Sequence, residues 1–210
     1  MLPTDEAVIH VVDDDAPFRR SLVFLLESVG WRVASHASAE DFLATQASSP
    51  DAPGCLVLDI RMPTMSGLEL QERLRAAGAV PPIVFITGHG DVELAVQAMK
   101  HGACDFLQKP FKDQALLDAV ATAVRRGAED RSRDAQRDDA KARLARLSPR
   151  EREVARLVAQ GLPNKLVARE LDISEKTVHV HRQHVMDKAE IGSAAELARL
   201  MLRADPAALD

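Results

Sequence analysis

Hydrophobic and polar positions follow two different periods along the first 125 residues. Short apolar runs predict strands near 7–13, 31–35, 55–59, 82–86 and 104–108. Amphipathic stretches between them predict helices near 16–29, 38–47, 66–77, 91–102 and 112–127. Strands that alternate with helices at this spacing are typical of βαβ units. We therefore expect an α/β domain with a doubly wound, five-stranded parallel sheet over residues 1–125.

Residues 125–147 interrupt this pattern. Within this segment, residues 125–134 are dense in both charges and have almost no apolar residues, so they are not expected to bury a core. Its Ala, Arg, Lys and Gln residues favour a helix after Gly127. We therefore predict a charged, helical linker over residues 126–146.

Only helices are predicted for the remainder of the chain, residues 147–210. Ser148-Pro149-Arg150-Glu151 and Ser193-Ala194-Ala195-Glu196 each have the sequence of a capping box at the start of a helix. Between them, Pro163 begins a second helix and Ser174 caps a third. Two helices joined by a short turn at 172–174 predict a small, all-α helix-turn-helix domain.

Polar side chains stand at the carboxyl ends of four apolar runs. They are Asp13 and Asp14 after the first run, Asp59 at the third, Thr87 at the fourth and Lys109 at the fifth. The carboxyl ends of parallel strands meet in one crevice, so we expect these groups to surround Asp59. Singly, each has an ordinary explanation, such as the helix cap expected of Asp15. A single site at the carboxyl edge of the sheet explains why all of these polar residues occur at strand ends.

A carboxylate cluster with one hydroxyl and one ammonium suits a phosphoryl group and a divalent metal. We predict that Asp59 accepts the phosphoryl group, and that Lys109 and Thr87 contact its oxygens. Carboxylate and carbonyl oxygens are the ligands that Mg²⁺ or Mn²⁺ prefers. The predicted metal ligands are Asp13, Asp14, Asp59 and the backbone carbonyl of Arg61.

These residues resemble the motif set of the receiver domain of two-component response regulators, over roughly residues 7–125. The segments that look like the FixJ type of regulator are Asp59-Ile60-Arg61-Met62-Pro63, Thr87-Gly88-His89-Gly90-Asp91 and Gln108-Lys109-Pro110-Phe111. The resemblance implies a flavodoxin-like receiver, a sensor histidine kinase as phosphodonor, and a cis peptide bond between Lys109 and Pro110. It also implies that Thr87 and Phe106 form a switch that responds to phosphorylation.

The third predicted helix of the C-terminal domain has an inward and an outward face. Val178, His181 and Val185 have the inward spacing, and we expect His181 to be partly buried with its hydrogen bonds satisfied. The residues predicted to contact base edges are Lys176, His179, Val180 and Gln183. The residues predicted to contact phosphates are Lys165, Thr177, Arg182 and Lys188.

Residues 147–203 resemble the LuxR-type DNA-binding domain. The segments that carry the match are Leu147-Ser148-Pro149-Arg150-Glu151, Gly161-Leu162-Pro163-Asn164-Lys165 and Ile173-Ser174-Glu175-Lys176-Thr177-Val178-His179-Val180-His181. The chain departs from the family at Ala189, where a large apolar residue is usual, and at Gly192, where a basic residue is common. The resemblance implies promoter DNA and RNA polymerase as partners, and a homodimer when the receiver is phosphorylated.

Composition adds limits to this interpretation. The net charge is −5, 46% of residues are hydrophobic and only 3% are aromatic, so the core must be aliphatic. No apolar run approaches the roughly 20 residues of a transmembrane helix. We expect a soluble, cytoplasmic protein without membrane contact, and no enzymatic activity beyond its own phosphorylation and dephosphorylation.

Two other functions stay open. Asp13-Asp14-Asp15 is similar to the Asp-x-Asp of haloacid-dehalogenase-type phosphatases, in which Asp13 would be the nucleophile. Alternatively, the chain binds DNA independently of phosphorylation and carries a vestigial receiver. The pairing of Asp59 with Lys109 argues against the first function, and the complete acidic set argues against the second.

Overall fold

The computed structural model describes residues 7–48, 54–78, 80–88 and 92–209. Its five strands are β1 (Val8–Val12), β2 (Arg32–His36), β3 (Cys55–Asp59), β4 (Ile83–Thr87) and β5 (Asp105–Gln108). They form one parallel sheet in the order β2-β1-β3-β4-β5. The predicted α/β class and doubly wound sheet are therefore confirmed. The predicted start of the fourth helix at residue 91 lies outside the described residues.

Helices cover both faces of this sheet. They are α1 (Ala16–Ser28), α2 (Ala39–Ser48), α3 (Gly67–Ala76), α4 (Val92–Lys100) and α5 (Asp113–Ala145). Leu56 and Leu58 of β3 belong to one buried cluster, which includes residues of α2, α3 and α4. Cys55 and Val57 belong to a second cluster, with residues of α1 and α5. The period-2 alternation of the strand thus places its apolar side chains into two separate cores.

The charged segment after residue 125 is helical, but it is not a separate element. It continues α5 without a break through Gly127 to Ala145. By internal contacts the chain divides between Asp130 and Arg131, inside this helix. The later part of this segment does contribute to a core, because Ala140 is fully buried among three residues of the C-terminal unit. Those residues are Ala189, Leu200 and Ala204.

The C-terminal unit adds four helices, α6 (Pro149–Ala159), α7 (Asn164–Glu170), α8 (Glu175–Ala189) and α9 (Ala194–Ala204). The first predicted capping box is present, because Ser148 and Glu151 bond reciprocally. The second is different: Ser193 caps the Glu196 amide, but the Glu196 carboxylate accepts from the Gly192 amide. Among the described residues, no helix is both long enough and apolar enough to cross a membrane.

Candidate functional site

The predicted polar groups do meet at the carboxyl edge of the sheet. Asp13 follows β1, Asp59 ends β3 and Lys109 follows β5. The Nζ atom of Lys109 lies 2.9 Å from Oδ2 of Asp59 and 3.0 Å from Oδ2 of Asp13. Both carboxylates are buried, with 1% of Asp13 and 8% of Asp59 exposed. One ammonium therefore bridges two carboxylates that have little access to water, and it offsets only part of their negative charge.

The charges of this site depend on one another. Burial raises the pKa of the Asp13 carboxyl, because the charged form loses its hydration, and the hydrogen bond from Lys109 only partly offsets this effect. Burial opposes the charged form of Lys109 too, but its hydrogen bonds to Asp59 and Asp13 outweigh that effect and raise the pKa of Lys109. Lys109 consequently stays a full cation at neutral pH.

The acidic cluster also has the chemistry of a metal site. One carboxylate oxygen from each of Asp13, Asp14 and Asp59 lies within 4.8 Å of the others. Asp14 is exposed, so an ion can reach the cluster from solvent. Arg61, the fourth expected ligand residue, is two positions after Asp59, and its amide donates to Oδ1 of Asp59 at 3.0 Å. An oxygen-only donor set of this kind fits Mg²⁺.

The predicted switch residues flank this site. Thr87 is fully buried at the end of β4, and its carbonyl accepts from the Lys109 amide at 2.7 Å. Phe106 is half-buried on the edge strand β5 and packs against the cluster beneath α3 and α4. The peptide bond between Lys109 and Pro110 is cis, which confirms that expectation.

Two residues at this site were missed as functional by the sequence patterns. The Lys109 Nζ lies 3.9 Å from the ring centroid of Phe18, so this aromatic ring also stabilises the ammonium. In the sequence, Phe18 is simply one of the apolar positions of the helix predicted near 16–29. At Gly67, a Cβ atom would collide with the carbonyl oxygen of Asp59, so only glycine allows α3 to start this close to the site. A lone glycine gives no such signal in the sequence.

In the C-terminal unit, α8 has the two faces that its pattern predicted. Val178 and Val185 are buried on the inward side. The four residues assigned to base edges are all exposed: Lys176, His179, Val180 and Gln183. Val180 leaves 45% of its surface exposed, so its methyl groups are accessible on this face. A face with polar groups and one apolar methyl contact is therefore available in this unit.

The residues assigned to phosphates differ in their surroundings. Lys165 and Thr177 are exposed, and Nη1 of Arg182 donates to Oδ1 of Asn164 at 3.0 Å. Lys188 was expected to contact DNA, whereas its Nζ donates to both carboxylate oxygens of the buried Glu151 at 2.8 Å. Its ammonium thus joins α8 to α6 within the domain.

His181 also differs from its expectation. It is partly buried, as predicted, but its Nδ1 atom is inaccessible and has no hydrogen-bond partner in the part of the chain that the structure describes. In the described part of the chain no protein group satisfies this atom, so the expected hydrogen bond is not made within the protein.

Comparison with known proteins agrees with both halves of the molecule. Residues 9–121 match the response regulator receiver domain, and residues 145–201 match the luxR family of bacterial regulatory proteins. The chain is 48% identical to the transcriptional regulatory protein FixJ of Azorhizobium caulinodans over 96% of this chain and 95% of that one. It is 49% identical to nodulation protein W of Bradyrhizobium diazoefficiens, over 93% and 85% of the two chains.

Solved structures give the same result. The response regulator StyR is 46% identical and superposes with a TM-score of 0.81, over 92% of this chain and 97% of that chain. The fold and the polar edge of the sheet define a response regulator receiver, here followed by a luxR-type domain. The chain belongs to the FixJ type of two-component response regulators. Members of this family are transcription regulators rather than conventional enzymes, so the protein acts in two-component control of transcription.

Proposed function

We propose that Asp59 accepts a phosphoryl group from a sensor histidine kinase, and that this modification promotes dimerisation and promoter binding. The observation that carries the proposal is the position of Lys109, whose Nζ bridges Oδ2 of Asp59 and Oδ2 of Asp13 at 2.9 and 3.0 Å. A fixed ammonium at this place stabilises the negative charge of a transferring phosphoryl group.

In the proposed transfer, one carboxylate oxygen of Asp59 attacks phosphorus while the phosphorus–nitrogen bond of the donor phosphohistidine breaks. Mg²⁺ or Mn²⁺, bound by Asp13, Asp14, Asp59 and the Arg61 carbonyl, would neutralise charge on the phosphoryl group. Lys109 exchanges its contact with Asp59 for one with a phosphoryl oxygen, and the hydroxyl of Thr87 donates to another. The same residues would catalyse only the phosphorylation and dephosphorylation of the protein itself.

The proposed response follows from the position of Thr87 behind the site. When its hydroxyl moves toward the phosphoryl group, it vacates buried volume, and the half-buried ring of Phe106 turns inward. This motion changes the surface of α4, β5 and α5, which we propose as the face of a homodimer. Val96 and Met99 of α4 support that assignment, because each leaves 47% of its surface exposed.

The proposed DNA contacts are made by α8 and the residues around it. The exposed face described above reads base edges in the major groove, while Lys165, Thr177 and Arg182 contact phosphates. Lys188 is assigned instead to the internal ion pair with Glu151, which orients α8 on α6. A dimer would present two such helices to paired half-sites, where the protein contacts RNA polymerase.

Sedimentation with acetyl phosphate and Mg²⁺ tests the phosphorylation step. Wild type should shift from monomer to dimer and gain one phosphoryl group by intact mass, whereas Asp59→Asn should do neither. Asp15→Asn is the matched control, because Asp15 is an exposed helix cap beside the site and asparagine also caps helices. Phosphorylation of Asp59→Asn would remove Asp59 from its role.

Two further measurements separate the rival functions: phosphoryl incorporation in Asp13→Asn, and DNA affinity with and without the phosphodonor. Loss of phosphoryl incorporation in Asp13→Asn, with retention in Asp59→Asn, would favour the phosphatase-like reading in which Asp13 is the nucleophile. Equal DNA affinity with and without the phosphodonor, in protein shown by mass to be phosphorylated, would favour a vestigial receiver.

A further inference from the structure

A second cluster of side chains with the chemistry of metal ligands lies in the C-terminal unit. One ligand atom from each of Glu151, His181 and His184 lies within 4.8 Å of the others. Glu151 is in the first turn of α6, and the two histidines are three positions apart on α8. That spacing places both imidazoles on one side of the helix, facing the same carboxylate. None of the three belongs to the exposed face of α8 proposed to read DNA.

The state of Glu151 suits it for binding a cation. Its side chain is only 5% exposed. Hydrogen bonds from Lys188 and from the Ser148 amide lower the pKa of the Glu151 carboxyl to about 2, so it is ionised at neutral pH. Nδ1 of His184 lies 3.7 Å from Oε1 of Glu151, which is too long for a hydrogen bond. The carboxylate and this imidazole are therefore adjacent but not bonded.

The unpaired Nδ1 atom of His181 is an independent indication of a missing ligand. It is inaccessible to solvent, and no group in the described part of the chain bonds to it. Buried polar atoms nearly always have a partner, and an exception commonly marks an absent water or ion. A neutral imidazole nitrogen without a proton offers a lone pair, which is what a transition metal requires.

We propose that Glu151, His181 and His184 bind one divalent transition-metal ion of the Zn²⁺ type, which joins α8 to α6. Two imidazole nitrogens and one carboxylate oxygen form a ligand set typical of Zn²⁺, with the fourth position left to water. The side chain of His184 is 55% exposed, so the ion can enter from that side. Imidazole ligands favour such an ion over Mg²⁺, whereas the oxygen ligands of the receiver favour Mg²⁺.

Lys188 sets a limit on the affinity of this site. Its Nζ donates to both oxygens of Glu151, so a metal ion must share one of those oxygens with it or displace it there. The ammonium can keep the other oxygen, but its positive charge repels the ion. We therefore expect weaker binding than at a structural zinc site with four protein ligands.

The test is a zinc titration of the untagged, full-length protein after treatment with a chelator. Calorimetry is performed at constant, saturating Mg²⁺, so that the oxygen site of the receiver is already filled. We expect one Zn²⁺ per chain in the wild type. His184→Gln should weaken binding more than about tenfold, since even the loss of a residue that only supports a metal ligand typically costs 10- to 100-fold.

His179→Gln is the matched control, because His179 is an exposed histidine on the same helix and outside the cluster. It should bind Zn²⁺ as the wild type does. The second measurement is the unfolding midpoint by far-ultraviolet circular dichroism, which Zn²⁺ should raise in the wild type and in His179→Gln but not in His184→Gln. Absence of saturable binding, or equal binding by His184→Gln, would overturn the proposal and leave a water molecule as the partner of His181.

Discussion

Arg143 provides the sharpest test of how far the C-terminal unit extends along α5. Its side chain is 21% exposed and reaches the end of α8. Nε donates to the Ala189 carbonyl at 2.8 Å, and Nη2 donates to the Glu190 carbonyl at 2.7 Å. These carbonyls end a helix and lack partners within it, so the guanidinium both bonds them and neutralises the negative end of the helix dipole.

The expected effect of Arg143→Ala follows from these contacts. A hydrogen bond to a charged group contributes about 1.5–3 kcal/mol, and a cation at a helix C-terminus adds about 0.3–1 kcal/mol. Glu190 is exposed, so water replaces part of what is lost there. We therefore expect the free energy of unfolding of the C-terminal unit to fall by about 2 kcal/mol. For a urea slope of about 1–2 kcal/mol/M, the midpoint falls by about 1–2 M.

Two probes resolve the two units during urea unfolding. The chain has one tryptophan and no tyrosine, and Trp31 packs in the receiver, so its fluorescence reports that unit alone. Far-ultraviolet circular dichroism reports the helices of both units. Arg143→Ala should lower the urea midpoint of the dichroism transition that belongs to the C-terminal unit. The fluorescence transition, which reports the receiver, should stay unchanged.

Two control variants define what would refute this reasoning. Arg131→Ala makes the same chemical change at an exposed position of α5, about three turns earlier, and should have little effect. Arg143→Lys keeps the charge but loses the planar fork, so we expect an intermediate loss. If Arg143→Ala unfolds like Arg131→Ala, the end of α5 does not stabilise the C-terminal unit.

Three further predictions concern the receiver and the DNA-binding face. Burial lowers the pKa of His10 to about 4, so unfolding exposes a group that binds protons more tightly, and stability should fall by up to about 3 kcal/mol as the pH drops from 6.5 to 4. The stability of the receiver, measured by Trp31 fluorescence during unfolding, should depend less on pH in His10→Gln than in the wild type. An equal pH dependence in both would contradict the assignment to His10. Lys109→Ala leaves two buried carboxylates without their cation, so without Mg²⁺ the free energy of unfolding of the receiver should fall by about 1–3 kcal/mol. Adding Mg²⁺ should stabilise this variant more than it stabilises the wild type. Gln183→Ala should weaken the free energy of binding to the specific operator by about 1–3 kcal/mol and that to random DNA only slightly. An equal loss on both DNAs would make Gln183 a phosphate contact.

The sequence alone determined the strand and helix order of the receiver and the edge of the sheet at which its polar groups meet. Strands and helices have different hydrophobic periods, and a parallel sheet brings its carboxyl ends to one edge. Those two rules are enough to place Asp13, Asp59 and Lys109 together. The exposed face of α8 was predictable for the same reason, because residues three and four positions apart share a side of a helix.

Only the tertiary structure decided which side chains of different helices meet in the C-terminal unit. Lys188 and Glu151 are 37 positions apart, and nothing in either local pattern indicates that the ammonium of one is bonded to the carboxylate of the other. Ala140 was predicted to lie in a linker, because a single small apolar residue among charged neighbours produces no hydrophobic pattern. In the fold it packs against Ala189, the position at which the sequence lacks the usual large residue. Close packing depends on the shapes of two surfaces together, and a pattern along one segment describes only one of them.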